Sequence, residues 1–511
     1  PGEEKRFTQV FMPFKELGGV KNASRNVAVN LEIGDGSARF GVYCTSPRHI
    51  VVELTAGGES VFSRQLALTP DEALLDQVQL PAGITARLVT LRVTQQGREL
   101  ISFTPLPEER PEPPSPATPA PPPVEVTSNE ALFLHGLHLE QYRHATYEPE
   151  AYYEEALRRD PLDSRCNNAM GRLLLRRGKF AAAEQYFRTA IQSITRRNPN
   201  PYDGEPYYNL GLALRHQGRL TEAYDAFYKA VWSAAWQDAA WFELARIASM
   251  QGNAAEALQL LDSCLGRNGH HQGARHLQVA LLRKNGHVEA ARRLALAGLA
   301  DDTMNYGLLY ECQLLDDDGT FATLLQNNAH TRCEVALDYI NAGLFHEADD
   351  ILEAILHDHP AADPMVAYYL GWARMLVADD TGARQAFRCA RLLPPDYCFP
   401  NQVECVPALE TAIAAEPSDA RAPYYLGNWR YAHKRFAEAI ACWERAAALD
   451  PSFPTVERNL GLAYVNKLGN IADAQLRYER AFALDQNDAR VLFELDQLYK
   501  RAGMPAAERL E

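Results

Sequence analysis

The side chains able to ligate a metal or carry a proton are scattered along this chain. His357-Asp358-His359 offers two imidazoles and a carboxylate. The triplet stands where a helical stretch ends before Pro360, and imidazoles suit the negative end of a helix dipole, so a capping role is expected. His270-His271 lies between two helical units and reads the same way. Asp316-Asp317-Asp318-Gly319 opens like a calcium loop but lacks the ligand spacing of an EF-hand, which leaves a solvated acidic turn. The nine cysteines (Cys44, Cys166, Cys264, Cys312, Cys333, Cys389, Cys398, Cys405 and Cys442) form no CxxC pair. Cys389, Cys398 and Cys405 are near in sequence, yet no pair of histidines completes a zinc set. Buried free thiols of a reducing compartment, the cytoplasm, are expected. GxGxxG after a strand, GxxxxGK[ST], HExxH and GxSxG are all missing. We therefore expect no catalytic residue, no cofactor, no metal and no enzyme in this stretch. A carboxylate pair for glycoside hydrolysis needs a fixed separation that sequence does not give.

Of 511 residues, 47% are hydrophobic and 23% charged, which are globular values ample for more than one core. The net charge of −15 repels nucleic acid and anionic lipid, so neither is an expected partner. No apolar run approaches the roughly 18 residues of a membrane span. The chain starts at Pro1 with a polar stretch that is neither a signal nor a transit peptide, and its start reads as a cut.

Three regions position whatever function there is. Through residue 104, apolar and polar residues alternate in short runs such as NVAVNLEI, ARFGVYC, HIVVELTA and ARLVTLRVT. GDG, AGGES, PAG and QQG separate several of them. A period of two with β-branched enrichment predicts antiparallel strands, and seven or so of them after residue 25 fit a small immunoglobulin-like sandwich over residues 20–104. The first run, RFTQVFMPF, is set apart by KELGGVKNASR, and residues 1–19 read as the last strand of a preceding β domain with its connector. Residues 105–127 are so rich in proline that they predict a stiff polyproline II linker.

From residue 128 to 511 the period becomes helical and a unit recurs, often at about 34 residues. A small residue returns at Ala183, Ala223, Ala257, Ala291, Ala348, Ala383, Ala439 and Ala474. A large one usually follows four positions later, as at Phe187, Phe227, Leu261, Leu352, Phe387, Trp443 and Tyr478. A Gly or Ala precedes at Gly171, Gly211, Ala245, Gly371, Gly427 and Gly461, and turn glycines stand at Gly178, Gly218, Gly252, Gly286 and Gly343. The small residues predict close helix pairs, and the large residue is expected to fill the gap against the next pair. Residues 300–335 read as a shortened pair, and CVPALETAIAA within 396–418 as an inserted helix.

These units resemble the tetratricopeptide (TPR) family, most plainly in WFELARIASMQGNAAEALQLLDSCL and YYLGNWRYAHKRFAEAIACWERAAALDP. The resemblance implies a multidomain β + α chain whose second part is an all-α, right-handed superhelical solenoid. It also implies a concave groove lined by first-helix positions. In this chain those are Asn168, Tyr208, Phe242, Tyr368, Tyr424 and Arg458, with Arg172, Leu212, Arg246, Trp372, Asn428 and Leu462 one position past the small residue. The ligand-groove candidates are thus Tyr208, Phe242, Tyr368, Trp372, Tyr424, Asn428, Arg172, Arg246 and Arg458. The four aromatics among the first six positions, Tyr208, Phe242, Tyr368 and Tyr424, suit stacking on a peptide or on sugar rings.

EEKRFTQVFMPFKELGGVKNASRNVAVNLEI, DPSFPTVERNLGLAYVNK and DARVLFELDQLYKR resemble a bacterial family in which a galactose-mutarotase-like supersandwich precedes a small sandwich and TPR repeats. That resemblance implies a middle portion of a longer protein, with any carbohydrate-active domain N-terminal to it and a solenoid that continues past residue 511. The expected function is a non-catalytic scaffold for a protein or peptide partner, for the protein's own remaining domain, or for a second copy of the chain. The alternative is an accessory region of a carbohydrate-binding or carbohydrate-processing protein.

Overall fold

The computed structural model describes residues 8–106, 113, 115–116, 118–142, 146–316, 319–326, 328–359 and 361–509. Arg6 and Phe7 of the first run, Asp317 and Asp318 of the acidic turn, Pro360, the linker residues 107–112, 114 and 117, and Glu511 lie outside them. The chain divides into two units, Glu3–Pro119 and Ala120–Glu511 together with Pro1–Gly2.

In the first unit the alternating runs become strands of two antiparallel sheets. β1 (Asn22–Ala23), β2 (Val27–Gly34), β3 (Ser37–Cys44) and β6 (Leu74–Gln79) are neighbours in that order. The other sheet runs β5 (Glu59–Leu68), β4 (Arg48–Ala56), β7 (Val89–Gln95), β8 (Arg98–Phe103). Without the short β1, this is the three-on-four strand order of an immunoglobulin-like sandwich. Every second residue points inward, so Val27, Val29 and Leu31 of β2 share one core with Val52 and Leu54 of β4 and Leu91 and Val93 of β7.

The first apolar run is not a strand over its described residues, Thr8–Phe14. Pro13 and the positive φ of Glu16 (62°) and Gly18 (69°) interrupt an extended ladder. The segment instead lays Leu17 on the outer face of the β2–β3 pair, where Leu17, Ala28 and Tyr43 are buried together. Asn30 Nδ2 donates to Leu17 O at 2.9 Å. Gly41 makes the room, since a Cβ there would stand 2.7 Å from Leu17 Cδ2.

The second unit is a stack of helix pairs. The first are α1 (Asn129–Tyr142) with α2 (Pro149–Arg159), α3 (Ser164–Arg176) with α4 (Phe180–Thr195), and α5 (Glu205–Arg215) with α6 (Leu220–Ala230). Next come α7 (Gln237–Met250) with α8 (Ala254–Arg267), and α9 (Gln272–Lys284) with α10 (Val288–Asp301). The shortened pair is α11 (Tyr306–Asp316) with the five-residue α12 (Thr320–Leu324). Regular pairs resume with α13 (Ala329–Ile340) and α14 (Phe345–Asp358), then α15 (Pro364–Leu376) and α16 (Asp380–Leu392). The inserted helix is α17 (Cys405–Ala415). After it stand α18 (Arg421–Ala432) with α19 (Phe436–Leu449), α20 (Pro454–Ala463) with α21 (Ile471–Leu484), and α22 (Ala489–Arg501) with α23 (Ala506–Arg509).

All eight recurring alanines are fully buried. The large residue four positions later meets its own pair as well as the next, as where Phe187 shares a core with Leu210 and Ala213 of α5. Its ring lies on the first helix of its own pair, where glycine leaves the helix surface bare. A Cβ built on Gly171, Gly211, Gly371, Gly427 or Gly461 would stand 2.3–2.7 Å from the ring of Phe187, Phe227, Phe387, Trp443 or Tyr478 respectively. Gly136 seats Tyr153 of α2 in the same way and marks α1–α2 as a further pair. In α9–α10 the sizes swap, with Val279 on the first helix buried beside Ala295 on the second. The π turn Tyr464–Leu468 absorbs the extra residue between Gly461 and Tyr478.

The five expected turn glycines have φ between 65° and 80°, and Ala378 and Lys434 take the same left-handed position without that freedom. The end of the proline-rich segment is no free spacer. Val126 is buried with Leu132 and Tyr152, Tyr152 OH donates to Pro121 O at 2.9 Å, and Arg159 Nη1 donates to Val126 O at 2.7 Å.

Distant pairs also meet through their turns. Arg435 Nη1 donates to Arg177 O (3.4 Å) and Gly178 O (3.3 Å), and the ring of Trp429 lies against Gly178. Lys434 pairs with Glu148. Ser249 Oγ donates to Ala342 O at 2.7 Å, and Gly343 lies against Met250. The solenoid therefore closes upon itself.

Two outcomes test this packing. Gly371→Val should cost about 2–3 kcal/mol by overpacking, read from the denaturant midpoint, and adding Phe387→Leu should recover part of it. An unchanged midpoint would contradict the seat. The second outcome concerns histidines. Burial, with Arg215 adding to it, pushes His216 down to about 4, and burial lowers His271 and His276. His271 Nδ1 accepts from Ala274 N at 3.1 Å, a bond available only to the unprotonated nitrogen. The unfolded chain takes up these protons from pH 6.5 downward while the native chain resists, so stability rises with pH across this window. The denaturant midpoint should fall between pH 7.5 and pH 5.5, and His216→Gln should flatten that fall.

Candidate functional site

Most groove positions are taken up by packing. Tyr368 is fully buried and its OH donates to Asp419 Oδ2 at 2.8 Å. Tyr424 is buried against Phe453, with ring centroids 4.7 Å apart. Phe242 is covered by the Arg246 guanidinium at 4.3 Å and by His271 at 4.5 Å. Arg246 itself pairs with Glu243 (3.3 Å) and Asp338 (3.0 Å). The space beside Phe242 and Arg246 is about 10 Å³, at the lower limit for one water. Asn428 Oδ1 accepts from Trp443 Nε1 (3.1 Å) and Asn459 Nδ2 (3.2 Å), and Arg458 is bound to Glu494 at 2.5 and 2.9 Å. Trp372 is half-buried against the main core. Phe242, Tyr368 and Tyr424 thus offer no open ring faces, because neighbouring side chains cover them.

Arg172 and Tyr208 differ. They are brought together in an open cleft of about 1020 Å³ between α1, α3 and α5. Tyr208 stacks on Trp236, 5.0 Å between centroids and 28° between planes, forming an aromatic wall. Asn168, buried behind it, accepts from Asn209 Nδ2 at 3.0 Å. The opposite wall is α3, which presents Arg172, Arg176 and Arg177. Arg172 and Arg176, at i and i+4, share one side of the helix, and Arg177 joins them at the cleft. Asp163 starts that helix by accepting from Arg165 N and Cys166 N, each at 3.1 Å.

Carboxylates from three other helices answer these cations. Glu140 of α1 binds Arg172 at 2.9 Å and Arg176 at 2.8 Å, and Glu205 at the start of α5 binds Arg172 at 2.9 Å. Glu150, in the first turn of α2, pairs with Arg177. Lys434, from the turn between α18 and α19, reaches the rim to meet Glu148. The lining carries four cations and four carboxylates, so it is locally neutral in a chain of net charge −15. Neutrality is incomplete in hydrogen bonds. Arg172 Nε and Glu150 Oε2 are buried without a partner, and burial lowers the pKa of Arg177.

Such a lining can hold a ligand by charge-assisted hydrogen bonds and ring contact. Among the described residues no group of three His, Cys, Asp or Glu side chains is placed to hold an ion. His359 Nε2 is bound to Gln326 O at 2.6 Å and Asp358 to Arg332 at 2.9 Å, so the His-Asp-His triplet ends its helix in local contacts. Cys398 and Cys405 are buried while Cys389 is exposed. Among the described residues, no helix is long and apolar enough to cross a membrane.

Sequence reasoning missed Trp236, Glu140 and Lys434. Trp236 precedes its helix and falls outside the repeat positions, whereas the repeated glycine at Gly136 could have revealed α1 and with it Glu140.

Comparison with known proteins agrees with this architecture. Residues 22–103 match the second domain of YphG-like proteins. Residues 150–201 and 189–239 match the tetratricopeptide repeat, and residues 427–467 match a TPR repeat model. Among solved structures, Naa15/Naa10 bound to HypK-THB is similar at 14% identity and a TM-score of 0.27. That match covers 74% of this chain and 66% of the other, just under two thirds of its length. A tetratricopeptide repeat protein from Parabacteroides merdae ATCC 43184 is similar at 15% identity and a TM-score of 0.26, over 59% of this chain and 98% of the other. Likeness of this degree carries no functional inference. The glycine-seated helix pairs and the repeat matches on both sides of the inserted helix show that this chain carries tetratricopeptide repeats, with a domain similar to the second domain of YphG-like proteins preceding them.

Proposed function

We propose that the solenoid is a protein-binding scaffold that takes a segment of a partner protein into the cleft between α1, α3 and α5. A TPR-like fold suggests a protein–protein interaction scaffold, and the finer reading rests on one observation. The cleft joins an open volume of about 1020 Å³ to the Tyr208–Trp236 wall and to exchangeable ion pairs, while the remaining groove candidates are filled by packing. The volume is at the upper end for a small-molecule pocket and suits a stretch of peptide. Arg172 Nε lacks an acceptor and Glu150 Oε2 lacks a donor, and a peptide backbone supplies both kinds of group. The carbohydrate reading called for exposed ring faces. Phe242, Tyr368 and Tyr424 spend theirs on protein, so we favour the peptide.

A photo-crosslinking residue placed at Trp236 tests this in the producing cell, with Leu376, exposed at the end of α15, as the control position. Protein adducts should form at position 236 and be absent at position 376. For a partner so identified, Arg172→Glu should weaken binding by about tenfold or more, in keeping with the loss of a central charged contact. Equal labelling at both positions, or an Arg172→Glu chain that binds as before, would refute the reading.

A further inference from the structure

The connection between α4 and α5 is longer than the repeat requires. Ala183 and Ala223 are 40 positions apart, against 34 for Ala223 and Ala257. The extra chain folds back on the end of α6. Lys229 Nζ donates to Asn200 Oδ1 at 2.5 Å, and Gly204 lies close to Ser233. The same Lys229 Nζ stands 4.6 Å over the ring of Trp232. Tyr228 and Trp232 are four residues apart at the helix end, 56% and 63% exposed, and Tyr202 in the loop is 83% exposed.

The cations here differ from their neighbours. Arg188 and Arg219 are paired with Glu184 and Glu222, and Arg215 with Glu243 at 2.8 Å. Arg196 and Arg197 are exposed and, among the described residues, take part in no ion pair; Lys229 meets only a neutral amide and a ring. Arginines at the end of α4 suit its dipole, but that does not call for three exposed rings beside them. In a repeat protein, insertions gather on binding faces, and Trp, Tyr and Arg are the residues that concentrate binding energy.

We propose that the loop 196–204 and the end of α6 form a second docking surface, for an acidic segment of a partner protein that carries aromatic or proline residues. Charge selects the occupant. A chain of net charge −15 repels an acidic partner over most of its surface, and three cations without carboxylate partners steer it to this patch. The rings then pack the apolar part of the segment, with Lys229 holding both the loop and Trp232 in place. None of these residues lines the neighbouring cleft of α1, α3 and α5, which begins at Glu205 and Trp236, and either surface can fail alone.

The test is to pan a phage-displayed library of random peptides on the full chain and measure the recovered peptides by fluorescence anisotropy. Peptides rich in Asp, Glu and aromatic residues are expected. Their affinity should drop about tenfold or more in the variant Trp232→Ala with Arg196→Glu and Arg197→Glu, and by a smaller factor with the two charge reversals alone. Binding to the cleft variant Arg172→Glu should stay unchanged. All the altered patch side chains are exposed, and an unchanged thermal melt would show that the variants fold. Recovered peptides without net negative charge, equal binding by the variants, or no peptide that the triple variant loses would overturn the proposal. So would a dimer in sedimentation that the triple variant dissolves, because the patch would then serve a second copy of the chain.

Discussion

An aromatic ring can lie directly on a helix only where that helix has no Cβ. This constraint sets the spacing of the second unit. In six of the described pairs a Gly of the first helix admits the ring from its own pair, from Tyr153 on Gly136 to Tyr478 on Gly461, while Gly307 of α11 receives His276 of α9. From Phe187 onward, a buried alanine four positions before the ring keeps the second helix equally close. A pair held this way still exposes apolar surface that it cannot cover alone, so the pairs must stack. Where the sizes swap, as at Val279 and Ala295, the helices still pair, which shows that complementary volume matters and not the glycine as such.

Stacking has a functional consequence. With a repeated pair geometry the turns of remote pairs converge, so that Arg435 caps carbonyls at Arg177 and Gly178 and Ser249 bonds to Ala342. The rings expected to line an open groove, Tyr368 and Tyr424 among them, end in the core. What stays open is the cleft of the first pairs, with Lys434 at its rim. Its arginines and glutamates neutralise one another, which makes the cleft tolerable without a ligand and still able to exchange partners.

The repeat was legible because its cause is local: small and large side chains at fixed positions, a left-handed turn glycine, a proline after the helix. The strands β2 to β8 were legible for the same reason, through alternation. The fate of the groove residues was not. Whether Phe242 faces solvent depends on His271 and Arg246, which sequence offsets do not reveal. RFTQVFMPF alternates as a strand does, while Gly41, which receives Leu17, lies in another element, so the docking of the lead-in segment was not legible. Lys434 reaches a carboxylate 286 positions away, a contact that only the assembled superhelix creates.

That contact reports self-closure of the solenoid directly. Zero-length carbodiimide cross-linking of the intact chain, followed by peptide mass spectrometry, joins an amine to a carboxylate only when the two touch. Self-closure of the solenoid predicts a Lys434–Glu148 cross-linked peptide. Cross-links confined to neighbouring pairs, with Lys434 and Glu148 both modified singly, would mean that the stack stays open and that the cleft lacks the rim described here.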